Sequence, residues 1–267
     1  MKHFLIQTSE TDGQVLHDFS FRLLDALNYA KWRHPEPIYS NSFAVAGETL
    51  EGLLAEGVQV TDIVPIGSLE FVQNRMNDMG VIGVEKIKPL NVPDILNETE
   101  FLGRTYESGI TKEQLLLGDR AFPLFIKSAD RYKGFTDILE SAEQLKVLSS
   151  VERYVVSEAV DIQAEWRVFV QRDEVIGAKS YGSNELFPKP ANTRFLNRMT
   201  KTIRDARKEG MSFPMSYTLD VGVSYEGSFL IECHPFVSCG LYGFDDLERL
   251  PSMMIQGFQY FLDEANR

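Results

Sequence analysis

Cysteine and long apolar runs are both scarce in this sequence, and each scarcity removes a class of protein. The chain has 267 residues but only 2 cysteines, Cys233 and Cys239, which excludes a disulfide-based scaffold and fits a reducing compartment. No apolar run approaches the roughly 18 residues that a membrane-spanning helix needs. Residues 1–3 lead directly into a short strand-like run and not into a secretory signal. We therefore expect a cytoplasmic protein with no membrane partner.

Positive charge is also in deficit. Lys and Arg number 27 against 39 for Asp and Glu, which gives a net charge of −12. Surfaces that bind nucleic acids neutralise phosphates with Lys and Arg, so this balance argues against a nucleic-acid partner. A nucleotide, by contrast, needs only a local basic pocket. The rest of the composition, 43% hydrophobic and 25% charged, is that of a globular chain long enough for one large or two modest domains.

The first third of the chain alternates between strand-like and helical patterns. A strand over residues 4–8 precedes an amphipathic helix over Phe19–Tyr29, and a second strand-like run follows at Val58–Pro65. Ser68 is the predicted N-cap of the next helix, whose N-terminus could hold an anion or could simply be capped. Prolines near residue 93 mark the end of this α/β unit.

The middle of the chain contains a buried strand that ends in a charge. A helix over Lys112–Leu117 leads into this strand, Phe122–Lys127. We predict that the basic loop Ser128–Gly134 is a mobile lid over a ligand. The pattern then predicts a helix over about Thr136–Leu145 and a strand at Arg153–Glu158.

Two β-hairpins follow, and the first brings cations together. With Arg172–Glu174 as its loop, the hairpin from Glu165 to Tyr181 places Val168 opposite Ala178 and Val170 opposite Ile176. On the other face, the same register aligns Glu165 with Tyr181 and Arg167 with Lys179. Two facing cations are unfavourable unless an anion neutralises them.

The second hairpin, Tyr217 to Phe236, brings carboxylates together. A three-residue loop over Tyr225–Gly227 would pair Ser224 with Ser228, Val223 with Phe229, Val221 with Ile231 and Asp220 with Glu232. Opposed carboxylates repel each other, and oxygen ligands of this kind suit a hard divalent cation. The alternative is that both charges are solvated. A helix over Thr193–Lys208 separates the hairpins, and another closes the chain over about Asp246–Ala265.

In order and spacing, the stretch from Phe101 to Phe236 resembles the ATP-grasp superfamily. The resemblance implies an α+β fold in which two α+β lobes grip ATP, preceded by a small α/β domain. The implied N-terminal α/β domain covers residues 1–95, and the implied ATP-grasp domain covers residues 96–267. Within the latter, a small lobe would span about 96–160 and a large lobe about 161–267.

The resemblance also implies a nucleotide site. In that family, a Lys near the end of a small-lobe strand contacts the nucleotide phosphates, and Lys127 in FPLFIKS matches it. A hinge strand places an acidic residue and backbone groups at the adenine, which here would be Glu158 with the backbone of Ala159 and Val160. A Glu that holds the ribose hydroxyls would be Glu165.

Further residues match the phosphate and metal ligands of the family. Arg167 and Lys179 resemble the basic residues that contact phosphate and the developing acyl phosphate. Asp220 and Glu232 match the two acidic Mg²⁺ ligands. An upstream Lys that contacts the α-phosphate has no clear counterpart, and Arg104 is the candidate for its place.

Three departures from the family pattern stand out. The second metal strand usually reads Glu-x-Asn, whereas His234 stands here in place of the Asn, either as a third metal ligand or as a hydrogen-bonding neighbour. Thr218 replaces the Arg that often precedes the first metal Asp by two residues. The loop Ser128–Gly134 is basic and nearly free of glycine, where the family is rich in Gly and Ser.

The function implied by the resemblance is an ATP- and Mg²⁺-dependent ligase that joins a carboxylate to an amine or thiol through an acyl phosphate. Its partners would be small-molecule or peptide carboxylates and amines, in pockets lined by the Gly67-Ser68 turn and by loops at 184–192 and 239–244. The departures leave open a nucleotide-binding sensor or subunit without turnover, and a kinase on the same scaffold. An acidic interaction module with merely solvated charges is the third alternative.

Overall fold

The structure is a computed structural model that describes residues 1–44, 48–183 and 186–267. These residues form three β-sheets. The N-terminal sheet is parallel, has the order β2-β1-β3, and consists of β1 (Lys2–Gln7), β2 (Tyr39–Ala44) and β3 (Ile63–Ile66). Its helices are α1 (Asp18–Arg33), α2 (Glu48–Ala55) and α3 (Leu69–Asp78).

The apolar pattern explains this first unit. The continuous run Phe4–Ile6 in β1 is fully buried, as expected for the central strand of a parallel sheet. Helix α1 buries Phe19, Leu23 and Leu27 in the same core. The predicted cap of α3 is confirmed, because Ser68 Oγ accepts a hydrogen bond from the Phe71 N–H at 3.1 Å.

The middle sheet is antiparallel and has the order β4-β7-β5-β6. Its strands are β4 (Tyr106–Thr111), β5 (Leu124–Ser128), β6 (Thr136–Leu139) and β7 (Arg153–Glu158). Two short helices accompany it, α4 (Thr99–Leu102) and α5 (Lys112–Leu117), and 3₁₀ turns lie at Val60–Asp62, Val84–Lys86, Asp94–Leu96 and Ala142–Val147.

The helix expected over Thr136–Leu145 is wrong. Residues 136–139 form the edge strand β6, which pairs with β5, and the 3₁₀ turn Ala142–Val147 follows. Thr136 and Ile138 are β-branched and therefore suit a strand. The partner strand is nearby in space as well as in sequence, so pairing overrides the weak helical periodicity of this segment.

The C-terminal sheet is antiparallel and has the order β11-β10-β8-β9. Its strands are β8 (Ala164–Gln171), β9 (Glu174–Ser180), β10 (Ser216–Val223) and β11 (Ser228–Pro235). Helix α6 (Thr193–Lys208) packs Leu196, Met199 and Ile203 against one face of this sheet, where Val168, Leu219 and Val221 lie. The opposite face carries the polar row described below.

Both hairpins keep the charged pairs that were predicted, but their turns differ. Asp220 pairs with Glu232 and Arg167 with Lys179, as expected. Near the tips, however, Val221 pairs with Leu230 and Val170 with Val175, so the predicted pairs Val221–Ile231, Val223–Phe229, Ser224–Ser228 and Val170–Ile176 are wrong. In each hairpin the ladder shifts by one residue through a bulge, which places the extra residue at Ile231 in β11 and at Ile176 in β9.

Helix α7 (Leu250–Ala265) connects the first and last units, and it begins four positions later than the predicted helix. It shares one apolar core with the N-terminal sheet, to which Met253, Phe258 and Phe261 contribute. A Cβ at Gly257 would lie 2.1 Å from the Phe236 carbonyl oxygen, so the absence of a side chain allows the helix to approach the end of β11. No helix in the part of the chain that the structure describes is both long and apolar enough to cross a membrane.

Candidate active site

Four charged residues form one row across the C-terminal sheet. The pairings Lys179–Arg167, Arg167–Asp220 and Asp220–Glu232 run from β9 through β8 and β10 to β11. Residues directly opposite each other on neighbouring strands point to the same face, so these side chains are adjacent. The row therefore has two cations at one end and two carboxylates at the other.

At the centre of the row, Arg167 and Asp220 form a buried bidentate pair. Nε and Nη2 of Arg167 donate to the two carboxylate oxygens at 2.8 and 2.7 Å, and Nη1 donates to the Gly240 carbonyl at 3.2 Å. The stacked rings of Tyr181 and Tyr242 lie beside the guanidinium, with their centroids 5.5 and 5.0 Å from it. Burial alone would raise the pKa of Asp220, but hydrogen bonds from Arg167 and His234 outweigh it and hold that pKa below its ordinary value.

At the acidic end of the row, Asp220, Glu232 and His234 converge. His234 Nε2 lies 3.0 Å from Oε1 of Glu232 and 3.4 Å from Oδ2 of Asp220. Burial would lower the pKa of His234, but hydrogen bonds to both carboxylates raise it to about 9. Burial would likewise raise the pKa of Glu232, yet His234 and Lys127 lower it to about 2. The two carboxylates of the cluster therefore stabilise a positive charge placed beside them.

The donor set of this cluster fits a divalent cation. One ligand atom from each of the three side chains lies within 4.8 Å of the others. Arg167 takes one hydrogen-bonding position on each oxygen of Asp220, and His234 lies beside Oδ2, so the Oδ1 atom keeps a free lone pair. Two carboxylates together with phosphate oxygens and water are the ligands that Mg²⁺ prefers.

The middle sheet contributes Lys127 to the same cluster. Its Nζ forms an ion pair with Oε2 of Glu232 across the gap between the two sheets. The predicted phosphate-binding Lys and a predicted metal ligand are thus brought together, although 105 residues separate them along the chain. Both side chains are partly solvated, at 20% and 24% exposure.

A cavity of about 290 Å³, which we call the intersheet cleft, opens beside this ion pair. Its polar wall includes Lys127, Glu165 and Glu232, and its apolar wall is formed by Phe125, Val155, Ile162 and Ile231. Ile231 was expected opposite Val221, but it is the extra residue of the bulge in β11 and lines the cleft beside Glu232. The predicted pairing of Glu165 with Tyr181 is confirmed, because the Tyr181 N–H donates to the Glu165 carbonyl at 3.0 Å.

Arg104 forms part of the cleft wall. Its Nη1 donates to the carbonyls of Leu102 and Leu230 at 3.1 and 2.8 Å, and its guanidinium lies 5.2 Å from the ring centroid of Phe229. Burial lowers the pKa of this Arg. Because Nη1 donates to the Leu230 carbonyl of β11 and Nε to the Ser157 hydroxyl of β7, Arg104 ties β11 to the middle sheet. It also borders the intersheet cleft.

The predicted hinge residues line a neighbouring cavity. Glu158, Ala159 and Val160 border a space of about 500 Å³, the hinge pocket, and Arg104 lies between it and the intersheet cleft. Oε2 of Glu158 accepts from the Thr105 N–H at 3.0 Å. The structure therefore brings Lys127, Glu165, Arg167, Asp220, Glu232 and His234 into one connected site, with the hinge residues on the far side of Arg104.

Lys179 lies at the outer end of the row. Its Nζ is 3.7 Å from Oδ1 of Asp245, and its side chain is 36% exposed. It borders neither the intersheet cleft nor the other pockets described here. Of the two predicted catalytic cations, Arg167 is thus fixed by Asp220, and Lys179 stands at the rim.

A third cavity, of about 300 Å³, lies on the N-terminal side of the cluster, and we call it the N-side pocket. Its lining combines Lys127, Glu232 and His234 with Leu69 at the start of α3. The predicted loop 239–244 contributes Cys239 and Gly240, whereas positions 184 and 185 of the predicted loop 184–192 lie outside the described residues. The two cavities therefore share Lys127 and Glu232 in their walls.

The loop Ser128–Gly134 is tied to its surroundings. Lys133 pairs with Glu70 of α3 at 2.9 Å, and Arg131 pairs with Glu152 at 2.6 Å. Sequence patterns predicted the charges of this loop but not their partners. Asn91, which borders the intersheet cleft, had no periodic or motif signal in the sequence, and the hairpin register did not predict that Tyr181 stacks on Tyr242 beside Arg167.

Comparison with known proteins identifies the fold. The sequence model of the ATP-grasp domain, R2K clade family 2, matches residues 101–250, more than half of the chain. No curated protein sequence matches. D-alanine–D-alanine ligase from Bacillus anthracis superposes with a TM-score of 0.52 at 13% identity, covering 99% of both chains.

Two further structures are similar at the level of the fold. Phosphoribosylamine–glycine ligase from Thermotoga maritima has a TM-score of 0.55 at 14% identity, over 97% of this chain and 75% of that one. L-amino acid ligase from Bacillus licheniformis has a TM-score of 0.55 at 11% identity, over 96% of this chain and 74% of that one. The expected α+β architecture is thereby confirmed, and the chain belongs to the ATP-grasp superfamily, in family 2 of its R2K clade.

Proposed function

We propose that this protein is an ATP- and Mg²⁺-dependent ligase that joins a carboxylate to an amine or thiol. The observation that carries the proposal is the meeting of Lys127, Glu232, Asp220 and His234 between two cavities. The intersheet cleft has an apolar wall suited to a base and a Glu suited to ribose hydroxyls. The N-side pocket is lined by cations suited to a carboxylate. Phosphoryl transfer requires positioning and charge neutralisation at the junction of two such cavities.

Under this proposal, Asp220 and Glu232 hold the metal ion, with His234 as a third ligand or a hydrogen-bonding neighbour. When bound, the ion supplies charge neutralisation for the β- and γ-phosphate oxygens. Arg167 fixes the orientation of Asp220 through two hydrogen bonds. Lys127 exchanges its ion pair with Glu232 for a contact with phosphate.

The residues around the cleft place the nucleotide. Ile231, Val155 and Phe125 enclose the base, and Glu165 accepts from the ribose hydroxyls. Arg104 closes the wall nearest the hinge, where Glu158, Ala159 and Val160 would meet the outer edge of the base. Lys179 at the rim could reach phosphate only by releasing Asp245.

The N-side pocket holds the substrate acid. One of its carboxylate oxygens attacks the γ-phosphorus, the bond from that phosphorus to the β–γ bridging oxygen breaks, and ADP leaves with the electron pair. The amine nitrogen or thiol sulfur then attacks the acyl carbon and loses its proton, and inorganic phosphate departs. The proposed substrates are small molecules or peptides, and the proposed compartment is the cytoplasm. We also propose that the chain divides into two domains, residues 1–95 and residues 96–267.

The test begins with nucleotide binding. Calorimetric titration with a nonhydrolysable ATP analogue should show saturable binding that tightens with Mg²⁺. Glu232→Gln should lose the Mg²⁺ dependence, whereas Glu209→Gln at the exposed end of α6 should keep it. Phosphate release should then appear only when a carboxylate pool and an amine pool are both present. Absence of analogue binding to the wild type would reject the proposal in favour of an interaction module.

A second function is a nucleotide-binding sensor or subunit without turnover. It is favoured by one observation: each carboxylate of the cluster is already paired, Asp220 with Arg167 and Glu232 with Lys127. Tight binding of Mg·ATP without phosphate release for any substrate pair would support this alternative. Phosphate transfer to a hydroxyl acceptor, with no need for an amine, would instead identify a kinase.

A further inference from the structure

Asn91 lies in the connection between the N-terminal unit and the middle sheet, and its backbone is unusual. Its φ is +48°, in the left-handed region that residues with a side chain adopt rarely, Asn being among the more tolerant. The residue is only 8% exposed. A buried non-glycine residue keeps this conformation when surrounding contacts require it.

Two contacts of Asn91 connect the two sheets of the site. Its carbonyl oxygen accepts from the Cys233 N–H at 2.7 Å, which forms a bridge to β11 between Glu232 and His234. Its side-chain Nδ2 donates to the Ala129 carbonyl at 2.9 Å. Ala129 follows Lys127 by two positions. One residue thus joins the strand of the metal cluster to the loop that follows the phosphate-binding Lys.

The same connection fastens the loop at other points. The Tyr132 hydroxyl donates to the Lys88 carbonyl at 3.0 Å, and Lys88 Nζ pairs with Asp130 at 2.8 Å. The Tyr132 ring also packs near Phe261 of α7, with centroids 6.4 Å apart. The loop expected to be a mobile lid is therefore docked on residues 88–91.

We infer that Asn91 is a positioning residue of the proposed reaction. It sets the distance between the loop after Lys127 and the Glu232 carboxylate of β11, so that the phosphates of a nucleotide meet both at once. The inference rests on the proposed function. The buried Oδ1 of Asn91 lacks a hydrogen-bond partner among the described residues, and Asn91 lines the intersheet cleft.

Two substitutions separate the side chain from the backbone. Asn91→Asp keeps the shape and the left-handed tolerance but replaces the Nδ2 donor by an oxygen that faces the Ala129 carbonyl. Asn91→Gly adopts a positive φ without strain and lacks the side chain altogether. Asn197→Asp, on the exposed face of α6, is the matched control for the added charge.

The measurement is calorimetric affinity for the Mg²⁺ complex of a nonhydrolysable ATP analogue and, separately, for AMP. Both Asn91 variants should bind the triphosphate about tenfold or more weakly, because the lost hydrogen bond frees the phosphate end of the site. AMP, held at the base and ribose end, should keep its affinity. Equal affinity for both ligands in the variants and the wild type would overturn the inference. A proportional loss for both ligands, together with a lower melting temperature, would show a structural role only.

A second readout does not depend on the nucleotide. Arg131 and Lys133 are tryptic sites within the docked loop. Cleavage after them should be about tenfold faster in both Asn91 variants than in wild type or Asn197→Asp, because local opening becomes easier. If the wild type fails to bind the analogue but the loop is released in the variants, the proposed function is wrong, whereas the connection that Asn91 makes between β11 and the loop is supported. Unchanged cleavage in the variants would show that Asn91 does not hold the loop after Lys127 against β11.

Discussion

The two sheets that face each other across the intersheet cleft hold their charged residues in different ways. In the C-terminal sheet, every residue of β10 is buried, and the side chains of Arg167 and Asp220 are only 10% and 3% exposed. In the middle sheet, three of the four residues of β6 are exposed, and the Lys127 side chain is held by a partly solvated ion pair. We infer from this difference that one sheet fixes the geometry of the site, whereas the other supplies a cation that can change partners.

The largest expected effect lies at the buried pair. Asp220→Ala should lower the free energy of unfolding by about 3–5 kcal/mol, because it leaves the Arg167 guanidinium buried without its counter-ion. Urea unfolding of the metal-free protein measures this change. Asp205→Ala, which removes a surface carboxylate from α6, should change the unfolding free energy far less than Asp220→Ala does. Equal values for the two variants would contradict the claim that the C-terminal sheet fixes the site.

Apolar packing beside the row, on the same face of the sheet, should show the same contrast. Phe169 is fully buried, and its ring stacks on Phe244 with centroids 4.2 Å apart. Phe169→Ala should therefore cost about 3–5 kcal/mol of unfolding free energy, through lost burial and a cavity. Ile138→Ala, at a 48% exposed position of β6, should cost less than about 1 kcal/mol. A larger effect at Ile138 would reverse the comparison between the sheets.

The alternation of apolar and polar residues was sufficient to predict the two charged pairs within the hairpins, but not the turns. In both hairpins the true loop shifts the pairs near the tip by one residue, and a bulge at Ile231 or Ile176 restores the predicted pairing beyond it. The pairs Asp220–Glu232 and Arg167–Lys179 were therefore right although the turns were wrong. Burial of one face of a sheet determines which alternate residues of a strand point inwards. Turn geometry instead depends on local backbone energies that composition does not reveal.

The sequence patterns could not predict contacts between segments that are distant along the chain. The neighbouring positions of β8 and β10 depend on strand order, so the hydrogen bonds of Arg167 to Asp220 could not be read from either hairpin alone. Asn91 belongs to no periodic segment, and its role depends on Ala129 and Cys233 meeting in space. Thr136–Leu139 illustrates the same limit for local structure, because pairing with β5 decided its conformation.

The carboxylate–imidazole cluster predicts how stability depends on pH. The pKa of His234 is raised from 6.5 to about 9, so its contribution is complete below pH 6.5 and is lost as the pH rises through about 9. The pKa of Glu232 is lowered from 4.5 to about 2, so its contribution is complete above pH 4.5 and is lost as the pH falls through about 2.

With metal removed by chelation, the contribution of this cluster should therefore be greatest between pH 4.5 and 6.5. The unfolding free energy should fall by on the order of 2 kcal/mol from pH 6.5 to pH 9. Urea unfolding across this range measures the decline, and His234→Gln should flatten it. A decline that is as steep in His234→Gln as in the wild type would assign it to other groups.

The smallest effect on stability, and the sharpest contrast with Asp220, is expected at Lys127. Because the Lys127–Glu232 pair is partly solvated and His234 remains beside Glu232, Lys127→Ala should change the unfolding free energy by no more than about 1 kcal/mol. The affinity for the Mg²⁺ complex of an ATP analogue should nevertheless fall about tenfold or more, since a charge-assisted phosphate contact is lost. Lys146→Ala, an exposed Lys of the same unit, serves as the control for charge. If Lys127→Ala instead destabilises the protein as much as Asp220→Ala and leaves nucleotide affinity intact, then Lys127 is a structural tie between the sheets, and the cation that changes partners must be sought elsewhere on the rim, first at Lys179.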